Sequence, residues 1–417
     1  MNVTLEPKTF GGAVDAIPSK SHAHRLLICA ALADKPTELY CPQTNNDIDA
    51  TARCLVSLGA KIDYDGERFS VTPIDRTRMP GDVVKLYPGE SGSTLRFLVP
   101  VVLALGVNAE FHMEGRLSSR PMSPLREALI EHCAVLSEAG ANPLSVSGKL
   151  TGGEFAFDGG ISSQFTTGLL LALPLLNEKS TVTLTGKVES GPYIDLTLAS
   201  MKSFGVIPTD EGNRFTVEPK EYITPGALNV EGDWSNGAFM LSAGAFSEAG
   251  VTVKGLDISS TQGDREVLSI LQRFGADCVV DGDCITVKKN ELRGVEIDAA
   301  DIPDLVPVLS CVASVAEGKT VIKNCGRLRL KESDRLATVS EMLNNLGADV
   351  KIDGDSLIIT GKEKLFGGVV NSHNDHRIAM SAATISCMCE NSVTIVEAES
   401  VNKSYPAFFE DLQKIRK

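Results

Sequence analysis

Apolar positions along this chain fall into two alternating registers, one with the spacing of a helix and one with the spacing of a strand. In "LATVSEMLNNLGAD" the residues Leu336, Val339, Leu343 and Leu346 follow the helical spacing. Comparable runs stop at Gly59, Gly140, Gly205, Gly275 and Gly347. Glycine is the residue expected where a helix ends in a left-handed turn. After these glycines come hairpin signals with alternating strands: "IDYDGERFSVTP", "PTDEGNRFTVEP", "CVVDGDCITVKK" and "VKIDGDSLIITG". The stretch after Gly140, "PLSVSGKLTG", is a noisier version. A glycine-led strand follows, as in "GDVVKLYPGESGST", "GGEFAFDGGISSQF", "GALNVEGDWSNGAF", "GVEIDAADIPDLVP" and "GGVVNSHNDHRIAM", and "GGAVDAIPSKSHAH" opens the series.

Matched positions at the ends of these strands are Lys20, Gly92, Ser162, Trp234, Asp304 and Asp375. Their spacing of about 70 residues predicts six repeats, each reading strand, helix, strand, helix, strand, strand. The last helix, expected over 404–415, has no strand after it, while "VTLEPK" at 3–8 nearly duplicates "FTVEPK" at 215–220. The first residues are therefore expected to pair into the sixth repeat and close it. The pattern predicts an α/β protein of two similar domains, each of three βαβαββ units. One domain is expected over 16–228 and the other over 1–15 with 229–417. Two chain crossings imply domains that close on a cleft.

A chain of 417 residues exceeds one ordinary core, which agrees with two domains. With 43% hydrophobic and 23% charged residues it has the composition of a globular protein. A formal charge of −14 disfavours nucleic acid or a membrane surface as partner. The ten cysteines form no C-x-x-C pair, and several lie in apolar runs such as "LLICAAL", so they read as free thiols of a reducing compartment. "MNVTLEPKTFGG" has no charged segment leading into an apolar core, and runs such as "LLLALPLL" are too short to cross a bilayer. A cytoplasmic protein is expected.

The predicted helix starts carry the chemistry. They offer Lys20, Ser21 and Arg25 in "PSKSHAHR", Gly92 and Arg96 in "GESGSTLR", Arg116 and Arg120 in "EGRLSSRP", and Ser162, Ser163 and Gln164 in "GGISSQF". Further along stand Lys331 and Arg335 in "KESDR", His376 and Arg377 in "NDHR", and Lys403 in "VNKSYP". "KESDR" reads as the opening of a helix, with Lys331 and Arg335 one turn apart. Helix N-termini present unpaired N–H groups, and added Lys and Arg make a cradle for phosphate or carboxylate. Taken singly, a serine pair is a cap and an arginine at a helix start is a solvated face; recurrence at matched repeat positions argues for one shared anionic ligand site. Asp304 and Glu332 stand amid this positive array. They could remove and deliver protons, or serve only as a cap and a first-turn dipole partner. No metal-ligand pattern and no dinucleotide fingerprint occurs, so no metal and no cofactor is expected.

The ordered segments "PSKSHAHRLLI", "GESGSTLR", "RLSSRP", "SSQFTTGLLLALPLL", "SGPYIDLTL", "DIPDLVP", "KESDRL", "NDHRIAM" and "VNKSYPAFFEDL" together resemble the 5-enolpyruvylshikimate-3-phosphate synthase family over essentially the whole chain. The resemblance implies that family's fold, an inside-out α/β barrel in each of two domains. It implies transfer of the enolpyruvyl group of phosphoenolpyruvate to the 5-hydroxyl of shikimate 3-phosphate, without cofactor, by a monomer. It also implies roles. Lys20 would touch both substrates. Ser21, Arg25, Ser162, Ser163, Ser190, Tyr193, Asp304 and Lys331 would hold shikimate 3-phosphate. Gly92, Arg120, Arg335, Arg377 and Lys403 would surround phosphoenolpyruvate, with Gln164 near both. Asp304 would be the base and Glu332 the acid, with Lys20 and His376 assisting proton traffic and phosphate departure.

The chain departs from the family at Glu90 and Ser91, where many relatives read Asn-Ala, and at Arg327, often Asn. The first two stand beside the implied phosphoenolpyruvate pocket, and the shikimate contact at Arg327 is not carried over. A related transferase acting on UDP-N-acetylglucosamine is the alternative. It expects Asn after the first lysine and a loop cysteine, whereas Ser21 follows Lys20 and no cysteine lies between Cys54 and Cys133. A non-catalytic anion-binding repeat protein is the other alternative, against which Lys20, Asp304 and Glu332 argue.

Overall fold

The computed structural model describes all residues, Met1–Lys417, in two units: Lys20–Val230, and Met1–Ser19 with Glu231–Lys417. The first unit contains helices α1 (Lys20–Ala31), α2 (Asn46–Ser57), α3 (Gly92–Ala104), α4 (Leu125–Glu131), α5 (Ser163–Ala172) and α6 (Gly191–Ser203). The second contains α7 (Trp234–Ala245), α8 (Val267–Phe274), α9 (Val306–Ser314), α10 (Arg335–Asn345), α11 (His376–Ile385) and α12 (Phe408–Ile415).

Half of these helices have almost no polar face. Every residue of α7, α9 and α11 is buried, as is all of α3 except Ser93 and all of α5 except Gln164. A helix apolar on all sides has to sit inside other elements. So α1, α3 and α5 form the centre of one unit and α7, α9 and α11 the centre of the other, with the sheets and amphipathic helices outside. The close packing needs glycine: a Cβ on Gly168 of α5 would lie 2.3 Å from the backbone oxygen of Arg96 in α3. Wherever a central helix carries a charged residue, it lies in the first two turns: Lys20 and Arg25 in α1, Arg96 in α3, Arg377 in α11. Burial of the rest leaves the N-terminal ends as the places where these helices can do chemistry.

Each unit has three small sheets. In the sheet Val84–Gly89, Ala109–Met113, Leu144–Gly148, Ala134–Leu136, the first two strands run parallel and the others antiparallel. The same pattern recurs in four other four-stranded sheets. The first strands of the first and fourth repeats are exchanged. Ala227–Asn229 pairs parallel with Thr37–Tyr40, and Gly12–Asp15 pairs parallel with Val251–Lys254. The sixth sheet has three strands, with Val3–Leu5 antiparallel to Val393–Val396.

Three expectations fail locally. No helix closes at Gly140. Residues Ala134–Leu136 form a strand, because Ala134 and Leu136 point inward while Val135 is 63% exposed, a period of two. Helix α4 ends earlier, and Cys133 takes the left-handed conformation (φ 68°) that the glycine was expected to supply. "KESDR" does not open a helix at Lys331. Residues 326–330 wind as a 3-10 turn, and α10 starts at Arg335, capped by Asp334 through the Ala337 N–H at 3.2 Å. Lys331 and Glu332 therefore lie before the helix, on a link that turns back toward Arg335. At the C-terminal end α12 starts only at Phe408, and residues 398–403, ending in Lys403, form a 3-10 segment.

Candidate active site

In the unit Met1–Ser19 with Glu231–Lys417, the link before α10 and the starts of α10 and α11 bring three cations onto Asp304, which lies just before α9. Asp304 accepts hydrogen bonds from Lys331 Nζ at 3.3 Å, Arg335 Nη1 at 2.8 Å and Arg377 Nη2 at 3.1 Å. Arg377 also donates to the Asp304 backbone oxygen at 3.2 Å and to Ser235 Oγ at 2.6 Å. Arg335 spans three carboxylates, because its Nη2 also reaches Glu332 at 2.6 Å and its Nε reaches Asp375 at 2.8 Å. Asp304 and Glu332 remain 18% and 22% exposed, while Arg335 is 1% exposed. The carboxylates are thus on the accessible side of a fixed guanidinium.

Burial works against ionising Asp304, but Arg377, Lys331 and Arg335 outweigh it and hold the carboxyl well below its ordinary range. Burial, with the charges of Arg335 and Arg327, pulls Lys331 down from its usual value, and Asp304 partly restores it. For Arg335 burial is overcome by Asp375, Glu332 and Asp304, which keep it charged. His376 is the first residue of α11 and is buried, with Nδ1 at 3.9 Å from Asp375. The chain enters α11 through His373 and Asn374, both at positive φ, and Lys403 Nζ holds the Asn374 carbonyl at 2.7 Å. Two such non-glycine residues in succession are strained, and strain of this kind clusters at functional sites.

In the unit Lys20–Val230, the starts of the central helices are stitched together by side chains. Lys20 Nζ pairs with Asp47 of α2 at 2.9 Å. Thr51 of α2 bonds Thr94 of α3 at 2.6 Å, and Ser93 of α3 accepts from Gln164 Nε2 of α5 at 3.0 Å. Arg96 Nη1 donates to the Gln164 side-chain oxygen at 2.6 Å and its Nη2 to the Pro121 carbonyl at 2.8 Å. Arg120 lies over the first residue of α3, because a Cβ on Gly92 would fall 2.8 Å from its Nη1. A guanidinium on a helix N-terminus whose first residue lacks a side chain is a phosphate or carboxylate cradle. Ser162 caps α5 through the Gln164 N–H at 3.3 Å, with Ser163 buried behind it. Ser190, at φ 58°, precedes α6 and Tyr193.

Arg25 sits differently from an open anion binder. It is buried, and four hydrogen bonds tie it to Thr197, the Ser21 carbonyl, Thr167 and the Tyr193 carbonyl. Burial lowers its pKa to about 10, although Tyr193 and Cys29 oppose the shift. Its visible work is to fix the backbones of Ser21 and Tyr193. Ser21 and Tyr193 are themselves half-buried.

Three residues to which sequence reasoning gave no substrate role, Arg96 among them although it was named at a helix start, belong to the framework of the site. Asp47 pairs with Lys20, Arg96 joins Gln164 to the Arg120 loop, and Asp375 anchors Arg335. Asp375 stands at a matched repeat position, which was a usable signal. Asp47, in the first turn of α2, reads like any dipole partner. No helix is long and apolar enough to cross a membrane. All ten cysteines are unpaired, and six of them are buried.

Known structures share this architecture. EPSP synthase from Acinetobacter baumannii superposes with a TM-score of 0.83 at 27% identity, covering 100% of this chain and 98% of that one. The enolpyruvyl transferase NikO from Streptomyces tendae matches in fold, with a TM-score of 0.79 at 18% identity and the same 100% and 98% coverage. The fold is that of the enolpyruvyl transferases. The family model described as EPSP synthase (3-phosphoshikimate 1-carboxyvinyltransferase) matches residues 5–412. The 3-phosphoshikimate 1-carboxyvinyltransferase of Clostridium kluyveri is 40% identical over 415 residues, covering 99% of this chain and 97% of its own. That of Clostridium beijerinckii is 41% identical over 424 residues, with the same 99% and 97% coverage. The chain belongs to the EPSP synthase family.

Proposed function

We propose that this chain transfers the enolpyruvyl group of phosphoenolpyruvate to the 5-hydroxyl of shikimate 3-phosphate and releases phosphate, by addition and elimination through a tetrahedral intermediate. The observation that carries the reading is Asp304, ionised and partly exposed within reach of Lys331, Arg335 and Arg377, with Glu332 on the same arginine. Two substrates rich in phosphate and carboxylate repel each other, so holding them at attack distance requires dense positive charge. Lys20, Ser21, Arg25, Ser162, Ser163, Gln164, Ser190, Tyr193, Asp304 and Lys331 are the proposed contacts of shikimate 3-phosphate. Lys20, Gly92, Arg120, Gln164, Arg335, Arg377 and Lys403 are those of phosphoenolpyruvate.

The chemistry then needs two carboxylates with opposite tasks. Asp304 takes the proton of the 5-hydroxyl as its oxygen bonds to C2 of phosphoenolpyruvate. Glu332 delivers a proton to the methylene carbon, completing the addition. Loss of a methyl proton and departure of phosphate restore the double bond, with Lys20 and His376 assisting. The direct test is phosphate release from phosphoenolpyruvate, with shikimate 3-phosphate or UDP-N-acetylglucosamine as acceptor. Release only with the nucleotide sugar would overturn the reading. Glu332→Gln is expected to stop incorporation of solvent deuterium into the methylene group of phosphoenolpyruvate; ordinary incorporation would assign the acid to another residue.

A further inference from the structure

Asp375 is fully buried, yet both its oxygens are taken up by the starts of two helices. Oδ2 accepts from Arg335 Nε at 2.8 Å and Ser333 Oγ at 3.0 Å. Oδ1 accepts from Arg335 Nη2 at 3.2 Å and, as the N-cap of α11, from the Arg377 backbone N–H at 3.0 Å. One side chain therefore fixes the guanidinium of Arg335 and the backbone from which Arg377 projects. The rest of Arg335 faces Asp304 and Glu332, the two partly exposed carboxylates. A bidentate carboxylate on its buried edge leaves the guanidinium one orientation. Burying an ion pair this completely is poor stabilisation by itself, because the desolvation of both charges offsets their attraction. The arrangement makes better sense as a device for orientation.

We propose that Asp375 is a positioning residue for phosphoenolpyruvate: it clamps the inner edge of Arg335 so that the outer N–H groups can pass from Asp304 and Glu332 to the substrate's anionic group, and it sets the start of α11 for Arg377. This rests on the reading that Arg335 and Arg377 hold phosphoenolpyruvate. Because Asp375 touches neither Lys331 nor Asp304 directly, its effect falls on one substrate. A purely structural cap would, through loss of folded protein, lower the apparent kcat and leave both KM values unchanged.

The test is steady-state kinetics of Asp375→Asn with each substrate varied, alongside thermal melting. Asn keeps the oxygen that caps α11 but loses the charge and turns an N–H donor or a weaker acceptor toward Arg335. The KM for phosphoenolpyruvate is expected to rise roughly ten- to a hundredfold, the range for losing charge-assisted hydrogen bonds. The KM for shikimate 3-phosphate should stay within about twofold on the same reasoning. An unchanged KM for phosphoenolpyruvate, or equal rises for both substrates, overturns the inference. The capping control is Asp334→Ala, which removes the N-cap of α10 without touching Asp375. It should lower the melting temperature and leave the KM for phosphoenolpyruvate alone; an equal rise there would assign the effect to capping and also overturn the inference. If Asp375→Asn does not fold, Ser333→Ala decides. It removes one bond to Oδ2 and should raise only the KM for phosphoenolpyruvate, by about two- to fivefold; no selective rise overturns the inference. Wild-type turnover with shikimate 3-phosphate separates the two levels. If wild-type protein is active and Asp375→Asn matches it, the positioning role fails and the function stands. If wild-type protein is inactive, the function itself fails.

Discussion

Asp304→Asn is expected to keep the fold and the affinity for shikimate 3-phosphate while losing roughly 10²- to 10⁴-fold in kcat, the usual contribution of a positioned general base. Asn keeps one of the two acceptor positions, because Arg335 and Arg377 donate to different oxygens of Asp304 and the amide has a single oxygen. Arg335 also keeps Asp375 and Glu332, and Arg377 keeps Ser235 and the Asp304 carbonyl oxygen. What Asn cannot do is take a proton. Kinetics together with a binding titration check this, and near-normal turnover would remove Asp304 as the base.

The cations around Asp304 sharpen that expectation. With Lys331, Arg335 and Arg377 all directed at it, the carboxylate is well below its ordinary pKa and is a reluctant proton acceptor. Anionic substrates that draw on the same cations weaken their hold on Asp304 and raise its proton affinity. The sign follows: a depressed pKa keeps the base ionised to lower pH in the free enzyme than in the loaded one. The acid limb of kcat, which reports the loaded enzyme, should therefore lie at higher pH than the acid limb of kcat/KM, which reports the free enzyme. Coincident limbs, or the reverse order, would contradict the displacement of these cations by substrate.

The architecture was legible because it is written in local signals. Glycines such as Gly59, Gly205, Gly275 and Gly347 each follow a helix and adopt positive φ. Hairpins follow them, and matched positions from Lys20 to Asp375 fall at or beside the starts of the central helices. The misreadings occurred where a local signal had two meanings. "AVLSEAG" carries apolar residues that fit either period, and only burial on one face of a sheet decides for a strand. The expected bounds of 1–15 with 229–417 put Gly12–Asp15 beside the later repeats, but its pairing with Val251–Lys254, and that of Ala227–Asn229 with Thr37–Tyr40, join partners far apart in sequence that no local pattern reports. The site divides in the same way. That Arg335 and Arg377 gather on Asp304 could be anticipated from charges at helix starts, whereas Lys331 reaches it from the link before α10. That Arg25 makes internal hydrogen bonds to Thr167, Tyr193 and Thr197, and that Asp375 anchors Arg335 as well as capping α11, depends on contacts across 40 residues or more of chain. An N-capping aspartate looks the same in sequence whether or not its second oxygen holds an arginine.

Removing residues 1–8 is expected to unfold the unit formed by Met1–Ser19 and Glu231–Lys417 at markedly lower denaturant, with Lys20–Val230 surviving longer. Val3–Leu5 supplies one edge of a three-stranded sheet, paired with Ile395, Thr394 and Val393. Thr4 bonds Thr394 across the pair at 3.0 Å, and the Met1 carbonyl accepts from the Ala398 N–H at 3.0 Å. Leu5 is buried in the core of this unit. Each such hydrogen bond contributes about 1 kcal/mol net, and a buried leucine about 1.5–3 kcal/mol. The total of several kcal/mol is a large part of the ~5–15 kcal/mol by which a domain is folded. The cut also leaves Val393–Val396 as a bare strand edge, a template for aggregation. Thr9 and Phe10 remain, with the Thr9 carbonyl accepting from the Lys417 N–H at 2.9 Å and Gly11 donating to the Ile415 carbonyl at 2.8 Å, so the truncation isolates the contribution of the strand. Trp234, the single tryptophan, is buried in α7 of the affected unit, so its fluorescence follows that unit while circular dichroism follows both. A fluorescence midpoint below the circular dichroism midpoint in the truncated protein is the expected outcome. A truncated protein with the full-length fluorescence midpoint would mean that the sixth sheet holds with two strands, and that the N-terminal segment closes nothing.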